Sequence, residues 1–213
     1  MTRRQSISES AVASGRGDDG TTGLLFGGDR IQKDDPRTEA CGTVDEAVAA
    51  LGMARAELAM KAQYGVLPPV LAGMGELLLR LQRELFVVGA ELATNPGAWD
   101  RLEDGVTRVS ERMVEGVELA LGEVERAVPP LREFVVPGES RLSASLELAR
   151  TIVRRAERRA VGLRRDGMVP GEWLVPYLNR LADLVWLLAR AAEAGEARTP
   201  TPSRTGRARQ PAR

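Results

Sequence analysis

Three arginines and one glutamate share one face of a segment with helical periodicity. Between residues 140 and 165, apolar side chains recur every three or four positions and form a single stripe. An adjacent arc carries Arg150, Arg154, Glu157 and Arg158. Guanidinium groups bind phosphate oxygens in pairs, and an acid between them can orient them. The arc therefore suits a polyphosphate ligand, whereas Arg155 and Arg159 point elsewhere. The alternative is a solvated helix face with ion pairs at three- and four-residue spacing.

A glycine-rich loop near the N-terminus is a second candidate anion site. Residues 14–23 read S-G-R-G-D-D-G-T-T-G. Backbone N–H groups in such a loop can converge on an anion, and the hydroxyl groups of Ser14, Thr21 and Thr22 add donors. The loop is not a Walker loop, because no Gly-Lys-Ser/Thr follows it. Taken alone, the pattern is equally typical of a flexible surface loop.

The last apolar segment contains a third group of polar residues. Residues 176–183 read P-Y-L-N-R-L-A-D, which places Asn179, Arg180 and Asp183 among apolar neighbours. A buried asparagine without a partner is costly, so Asn179 is expected to bind another group. The alternative is a helix surface with an intrahelical pair between Arg180 and Asp183.

The inventory of side chains excludes several mechanisms. The chain has no histidine, which removes imidazole bases, Ser-His-Asp triads and His-ligated metals. Its single cysteine, Cys41, excludes an intramolecular disulfide framework and a cysteine metal cluster. Lysine occurs only as Lys33 and Lys61. Arginines and Lys33 must therefore supply any phosphate-binding cations.

Five segments of helical character must position these groups. They run roughly over residues 38–63, 70–93, 104–127, 140–165 and 172–194. Prolines and glycines fall between them, Ser140 can cap the fourth, and Pro176 indicates that the fifth starts slightly later. Long helices with short or moderate connections predict an all-α, antiparallel five-helix bundle.

The ends of the chain differ from the middle. Residues 1–13 are predicted to be a flexible leader, residues 14–195 the bundle domain with its loop at 14–37, and residues 196–213 a disordered tail. The tail is rich in Arg, Pro and Thr and has little to bury, so we expect it to be dispensable for assembly and activity. Basic residues without interleaved aromatic residues do not indicate nucleic-acid binding. No membrane span or secretory signal is apparent, and a cytoplasmic location is the simplest interpretation.

Four blocks in order resemble the PduO type of ATP:cob(I)alamin adenosyltransferase. They read G-D-D-G-T-T-G-L (17–24) with K-D-D-P-R (33–37) after it, A-C-G-T-V-D-E (40–46), F-V-V-P-G-E-S (134–140) continuing into L-A-R-T-I-V-R-R-A-E-R (148–158), and Y-L-N-R-L-A-D (177–183). The resemblance spans about residues 14–194. It implies a ferritin-like bundle that assembles as a homotrimer, with active sites between subunits. It also implies transfer of the 5′-deoxyadenosyl group of ATP to a reduced corrinoid, with release of triphosphate.

The resemblance assigns roles to individual positions. Arg150 and Asp45 match a pair that bridges subunits, Arg154 matches a triphosphate ligand, and Phe134 matches the aromatic residue that displaces the lower base of the corrinoid. The remaining positions match contacts to ATP: Ser14, Gly15, Arg16, Gly17, Asp18, Thr22, Gly23, Lys33, Arg155, Glu157, Arg158 and Asn179. ATP phosphates, rather than protein side chains, would hold most of the coordination of Mg²⁺. A flavin or cob(II)alamin reductase is the expected electron-supplying partner.

The chain departs from the family pattern at several positions. Gly15 replaces a usual lysine, Glu147 a usual histidine, Ala182 a usual serine and Trp186 a usual phenylalanine. Two functions therefore remain open on the sequence: an active adenosyltransferase, and a non-catalytic corrinoid- or nucleotide-binding bundle derived from the same family.

Overall fold

The computed structural model describes residues 15–65, 67–130 and 134–203. Five α-helices make up most of this part of the chain: α1 (Pro36–Gln63), α2 (Met74–Leu92), α3 (Glu111–Ala127), α4 (Arg141–Arg165) and α5 (Leu174–Gly195). Short 3₁₀ turns at Pro69–Leu71 and Pro96–Arg101 flank α2. The predicted all-α bundle of five helices is therefore confirmed.

Helix α4 is the central positioning element, because it packs against both α1 and α5. Helix α2 packs on α1, and α3 packs on α5. The apolar stripe of α4 is buried, with Leu142, Leu146 and Val153 all fully inaccessible to solvent. This burial fixes the rotation of α4, so its polar arcs project towards neighbouring helices or solvent.

The helix starts follow local capping chemistry. The Asp35 carboxylate accepts a hydrogen bond from the Arg37 backbone N–H at 2.9 Å, with Pro36 in the first turn of α1. At α4, Ser140 Oγ accepts from the Ser143 backbone N–H at 3.1 Å, and Ser143 Oγ accepts from the Ser140 N–H at 3.2 Å. These two reciprocal bonds form a capping box, and they confirm Ser140 as the N-cap.

Two helix boundaries differ from the sequence prediction. The third helix begins at Glu111 rather than near residue 104, because Gly105 adopts φ +75° in a tight turn closed by an Arg108–Asp104 ion pair. The second segment is broken before Met74, where Gly73 adopts φ +76°. Glycine tolerates these left-handed conformations, and a helix cannot continue through them.

Four two-residue strands form two small antiparallel ladders. Strands β1 (Thr21–Thr22) and β2 (Ile31–Gln32) pair within the N-terminal loop. Strands β3 (Val135–Val136) and β4 (Thr201–Pro202) pair the connection before α4 with the segment after α5. The prediction of a disordered tail from residue 196 is therefore wrong for residues 196–203. Main-chain hydrogen bonding, which needs no apolar side chain, orders this segment.

Among the helices of the described ranges, none has the length and apolar character needed to cross a membrane.

Candidate active site

A cavity of about 670 Å³ opens between α3, α4, α5 and the loop before α4. Three residues expected at the site, Phe134, Arg150 and Arg154, line it together. Its other lining residues are Leu121, Glu125, Val135, Pro137, Glu147, Ala182, Asp183, Trp186 and Leu187. The cavity thus combines an apolar wall with two guanidinium groups, as a site for an amphipathic ligand requires.

Phe134 lies at the mouth of this cavity on a loop that the C-terminal segment braces. Phe134 is 87 % exposed, so packing among the described residues does not account for a large apolar ring at this position. The Phe134 carbonyl accepts a hydrogen bond from the Ser203 N–H at 2.8 Å, next to the β3–β4 ladder. Thr201 Oγ1 also donates to the Glu139 carboxylate. These contacts fix the loop at Phe134 and at Glu139. The Phe134 ring remains exposed, so it can contact a ligand in the cavity.

The two cavity arginines have different surroundings. Arg154 is exposed and makes no hydrogen bond or ion pair with the described residues. Arg150 is half-buried, and its Nε donates to Glu147 Oε2 at 2.6 Å. Arg154 can therefore receive an anion without breaking an existing pair, whereas Arg150 is already oriented by an acid.

Glu157 and Asn179 meet on the side of α4 that faces α5. Asn179 Nδ2 donates to Glu157 Oε1 at 2.9 Å, so this amide has the partner that its apolar helix requires. Asn179 Oδ1 accepts from Arg180 Nη1 at 2.8 Å, and Arg180 Nε donates to Glu118 on α3 at 3.0 Å. The alternative of an intrahelical Arg180–Asp183 pair is wrong, because Arg180 bridges to α3 instead.

Arg155 lies apart from the cavity arginines, on the face of α4 that packs against α1. It pairs with Glu46, and its neighbour Arg159 pairs with Glu39 and donates to Thr43. This agrees with the prediction that Arg155 and Arg159 point away from the polar arc. Arg158 is exposed, and the described residues provide it with no hydrogen-bond or ion-pair partner.

The N-terminal loop folds as a hairpin closed by its own basic side chains. Lys33 Nζ donates to the Gly17 carbonyl at 2.7 Å, and the Lys33 N–H donates to the Gly20 carbonyl at 2.9 Å. Arg30 donates from Nε to Thr21 Oγ1 at 2.7 Å and from Nη2 to the Arg16 carbonyl at 2.8 Å. A Cβ at position 17 would lie 2.8 Å from Lys33 Nζ, so a larger residue there would displace the Lys33 side chain from its present position.

The remaining loop positions are exposed or only half-buried, as a ligand-binding loop requires. Gly15 adopts φ +70° and its carbonyl accepts from the Asp18 N–H at 3.2 Å. Thr22 lies in β1 and Gly23 follows it at the surface. Hydrogen bonds from the Thr21 N–H and hydroxyl lower the pKa of the neighbouring Asp19. Ser14 lies outside the described residues.

The loop and the α4 arginines are two separate candidate half-sites within one chain. Neither a hydrogen bond nor an ion pair joins residues 17–33 to Arg150, Arg154 or Arg158 in the described ranges. Asp45 on α1 is exposed and forms no hydrogen bond within this part of the chain. The Asp45 carboxylate also acts on Cys41, whose thiol pKa is raised first by burial and then by this negative charge.

No side-chain metal centre accompanies these half-sites. Within the described ranges, no group of three or more Asp, Glu, Cys or His side chains converges as metal ligands.

The sequence assigns no function to two cavity-lining residues, Glu147 and Asp183, or to the buried residue Arg190. Glu147 stands out in the sequence only as a departure from a usual histidine. Arg190 is 2 % exposed and pairs with Glu147 at 3.1 Å. The sequence feature that points to Arg190 is its isolation as a charged residue in the apolar run W-L-L-A-R-A-A of α5.

The fold and cavity define a helical bundle that presents guanidinium groups and one exposed aromatic ring at a pocket between helices. Residues 12–192 match the sequence model of the family described as Cobalamin adenosyltransferase. The chain belongs to this family.

Similar proteins agree with this assignment. A corrinoid adenosyltransferase of Citrobacter freundii is 38% identical over 177 residues, covering 83% of this chain and 92% of that protein. One of Bacillus subtilis (strain 168) is 36% identical over 178 residues, with 84% of each covered. A solved structure of a PduO-type ATP:corrinoid adenosyltransferase variant from Lactobacillus reuteri, complexed with cobalamin and ATP, superposes with a TM-score of 0.75. It shows 27% identity and covers 89% of this chain and 97% of that one.

Proposed function

We propose that this protein transfers the 5′-deoxyadenosyl group of ATP to the cobalt of a reduced corrinoid. The observation that carries the proposal is the cavity in which Phe134, Arg150 and Arg154 meet, in a chain of this family. In the reaction, Co(I) donates its electron pair to C5′ of ATP. The Co–C bond forms from that pair, the C5′–O bond breaks, and triphosphate leaves with the electron pair of the broken C5′–O bond.

The side-chain inventory fits this reaction. Cob(I)alamin is itself the nucleophile, so the absence of histidine bases is no obstacle. The protein must instead stabilise negative charge on the departing triphosphate, which exposed arginines and backbone donors do electrostatically. Arg154 and Arg158 are available for this task, and the Glu157–Asn179 pair fixes the helix face between them. Mg²⁺ bound to the phosphates would neutralise further charge.

The apolar wall has a separate task at cobalt. The exposed Phe134 ring would occupy the space below the corrin plane and keep water and the lower base away from Co(II). Cobalt without an axial ligand is easier to reduce to Co(I). A flavin or cob(II)alamin reductase would supply the electron.

A homotrimer would complete the site by bringing the two half-sites together. The loop with Lys33 would then meet Arg154 and Arg158 of a neighbouring copy, and Asp45 would pair with Arg150 across the interface. Both Asp45 and the terminal nitrogens of Arg150 lack hydrogen-bond partners in the described part of the chain, which supports this pairing. Exposed apolar side chains on α1 and α4, including Met53 at 56% and Leu148 at 49%, support self-association. We also propose that the protein is located in the cytoplasm.

Incubation with ATP and chemically reduced cob(I)alamin tests the function. We expect the spectrum of an alkylated cobalamin and one triphosphate per cobalamin adenosylated, with neither product when ATP is omitted. Light-scattering measurement of the molar mass tests the trimer in the same preparation. Tight binding of cobalamin and ATP without transfer would contradict the proposal and favour the non-catalytic bundle.

A further inference from the structure

A buried cluster of four alternating charges lies behind the cavity wall. Glu147 Oε1 lies 3.1 Å from Arg190 Nη2, and Arg190 Nη2 donates to Glu193 Oε1 at 2.8 Å. Glu147 Oε2 accepts from Arg150 Nε at 2.6 Å. The side chains of Glu147, Arg190 and Glu193 are at most 4 % exposed, whereas that of Arg150 is 26% exposed. Arg150 and Glu147 both line the cavity, and Arg150 is the most exposed member of the cluster.

The cluster is poorly built for stability alone. Arg190 Nε and Nη1 and Glu193 Oε2 are buried without hydrogen-bond partners among the described residues. Buried ion pairs recover their desolvation cost only when their remaining polar atoms are satisfied. A well-packed apolar cluster would stabilise this part of the bundle as well or better, so the charges call for another explanation.

Glu147 is the link between the buried charges and the cavity. Each of its two carboxylate oxygens pairs with a different arginine, so Arg190 fixes the carboxylate and the carboxylate fixes Arg150. The Arg190 guanidinium carbon also lies 5.8 Å from the centroid of the Trp186 ring, and that ring lines the same cavity. The hydrogen bond from Arg150 Nε to Glu147 orients the plane of the Arg150 guanidinium. Both terminal nitrogens of Arg150 have no partner in the described ranges.

We propose that Glu147, held by Arg190, is a positioning residue that orients the Arg150 guanidinium for the transfer reaction. This inference rests on the proposed function. Glu147 acts through Arg150 and does not itself touch the reacting atoms. Its effect should therefore appear in turnover and should depend on the presence of the Arg150 side chain.

Glu147→Gln and Glu193→Gln form a matched pair that tests this role. Each replaces one buried carboxylate next to Arg190, but only Glu147 contacts Arg150. We expect Glu147→Gln to lower kcat by roughly 10- to 100-fold with little change in KM for ATP, the pattern of a group that acts in the transition state. Glu193→Gln should keep kcat within about threefold, with a similar change in melting temperature.

The dependence on Arg150 is measured with a double-mutant cycle. In an Arg150→Ala background, Glu147→Gln should cause no further loss of kcat, because its only route to the reaction is gone. Equal kcat losses for Glu147→Gln and Glu193→Gln would overturn the proposal, as would an undiminished effect of Glu147→Gln in the Arg150→Ala background. If Glu147→Gln does not fold, Glu147→Met takes its place with the same expectations. Parental protein without transfer activity would refute the proposed function itself, whereas an active parent with a fully active Glu147→Gln variant would refute only the positioning role.

Discussion

Replacing Phe134 with alanine should impair the enzyme without unfolding it, and the structure sets the scale of both effects. A fully buried phenylalanine removes about 150–250 Å² from water. Phe134 is 87 % exposed, so truncation forfeits only about 25 Å² of burial. At about 25 cal/mol per Å², this amounts to about 0.6 kcal/mol of stability. A core phenylalanine would cost roughly 3–5 kcal/mol, so the melting temperature alone separates the two roles.

The activity of Phe134→Ala should depend on the oxidation state supplied. Starting from cob(II)alamin with a reductant, we expect turnover to fall about tenfold or more, equivalent to at least about 1.4 kcal/mol. Water or the lower base would return to Co(II) and make it harder to reduce. Starting from cob(I)alamin, the loss should stay within about threefold, because Co(I) has little affinity for axial ligands. Electron paramagnetic resonance of bound cob(II)alamin reports the four-coordinate fraction directly.

Phe86→Ala is the matched control, since Phe86 on α2 is 65% exposed and lies outside the cavity lining. It should leave the four-coordinate fraction unchanged, with molar mass measured for both variants. The reasoning is refuted if folded Phe134→Ala retains the parental amount of four-coordinate cobalt, or if both assays fall equally.

Three further predictions follow from contacts described above. Arg154→Ala should lower kcat by roughly 10²–10³-fold, or about 2.7–4 kcal/mol of transition-state stabilisation. Its circular dichroism should not change, because Arg154 is exposed and unpaired in the described ranges; near-parental turnover would remove it from the site. Deleting residues 197–213 removes β4 and should lower turnover from cob(II)alamin more than from cob(I)alamin; equal rates for the truncated and full-length proteins would show that β4 does not support the Phe134 loop. Tyr177→Phe removes the 2.8 Å bond from Tyr177 Oη to Glu84 and should cost about 1–2 kcal/mol in denaturant unfolding, whereas kcat should not change.

The helices, and the starts of α1, α4 and α5, could be predicted because their signals are local. Apolar periodicity sets the stripe of α4, and the Ser140 hydroxyl caps the helix within one turn of its own position. The start of α3 was placed too early because a turn at Gly105 depends on a left-handed backbone angle that the sequence only permits. Strand β4 could not be predicted, since its pairing partner is the backbone of β3, far away along the chain.

The candidate site was predictable only in part. Periodicity placed Arg150 and Arg154 on one arc, and the cavity brings them together. The meeting of these arginines with Phe134 depends on a loop that carries no periodic signal, and it was expected only from the family resemblance. The Glu147–Arg190 pair joins two helices through side chains, so neither helix pattern alone contains it. Arg155 is held on the α1 face by Glu46, away from the cavity of its own chain.

The pairing of β3 with β4 also bears on biosynthesis. A ribosome makes the chain from the N-terminus, so all five helices emerge before Thr201 and Pro202. The loop that carries Phe134 therefore lacks its β4 partner until residues 201–202 have been synthesised. In the nascent chain, the five helices are complete before this edge of the cavity can be closed. A protein domain inserted directly after β4 would consequently lie beside that edge.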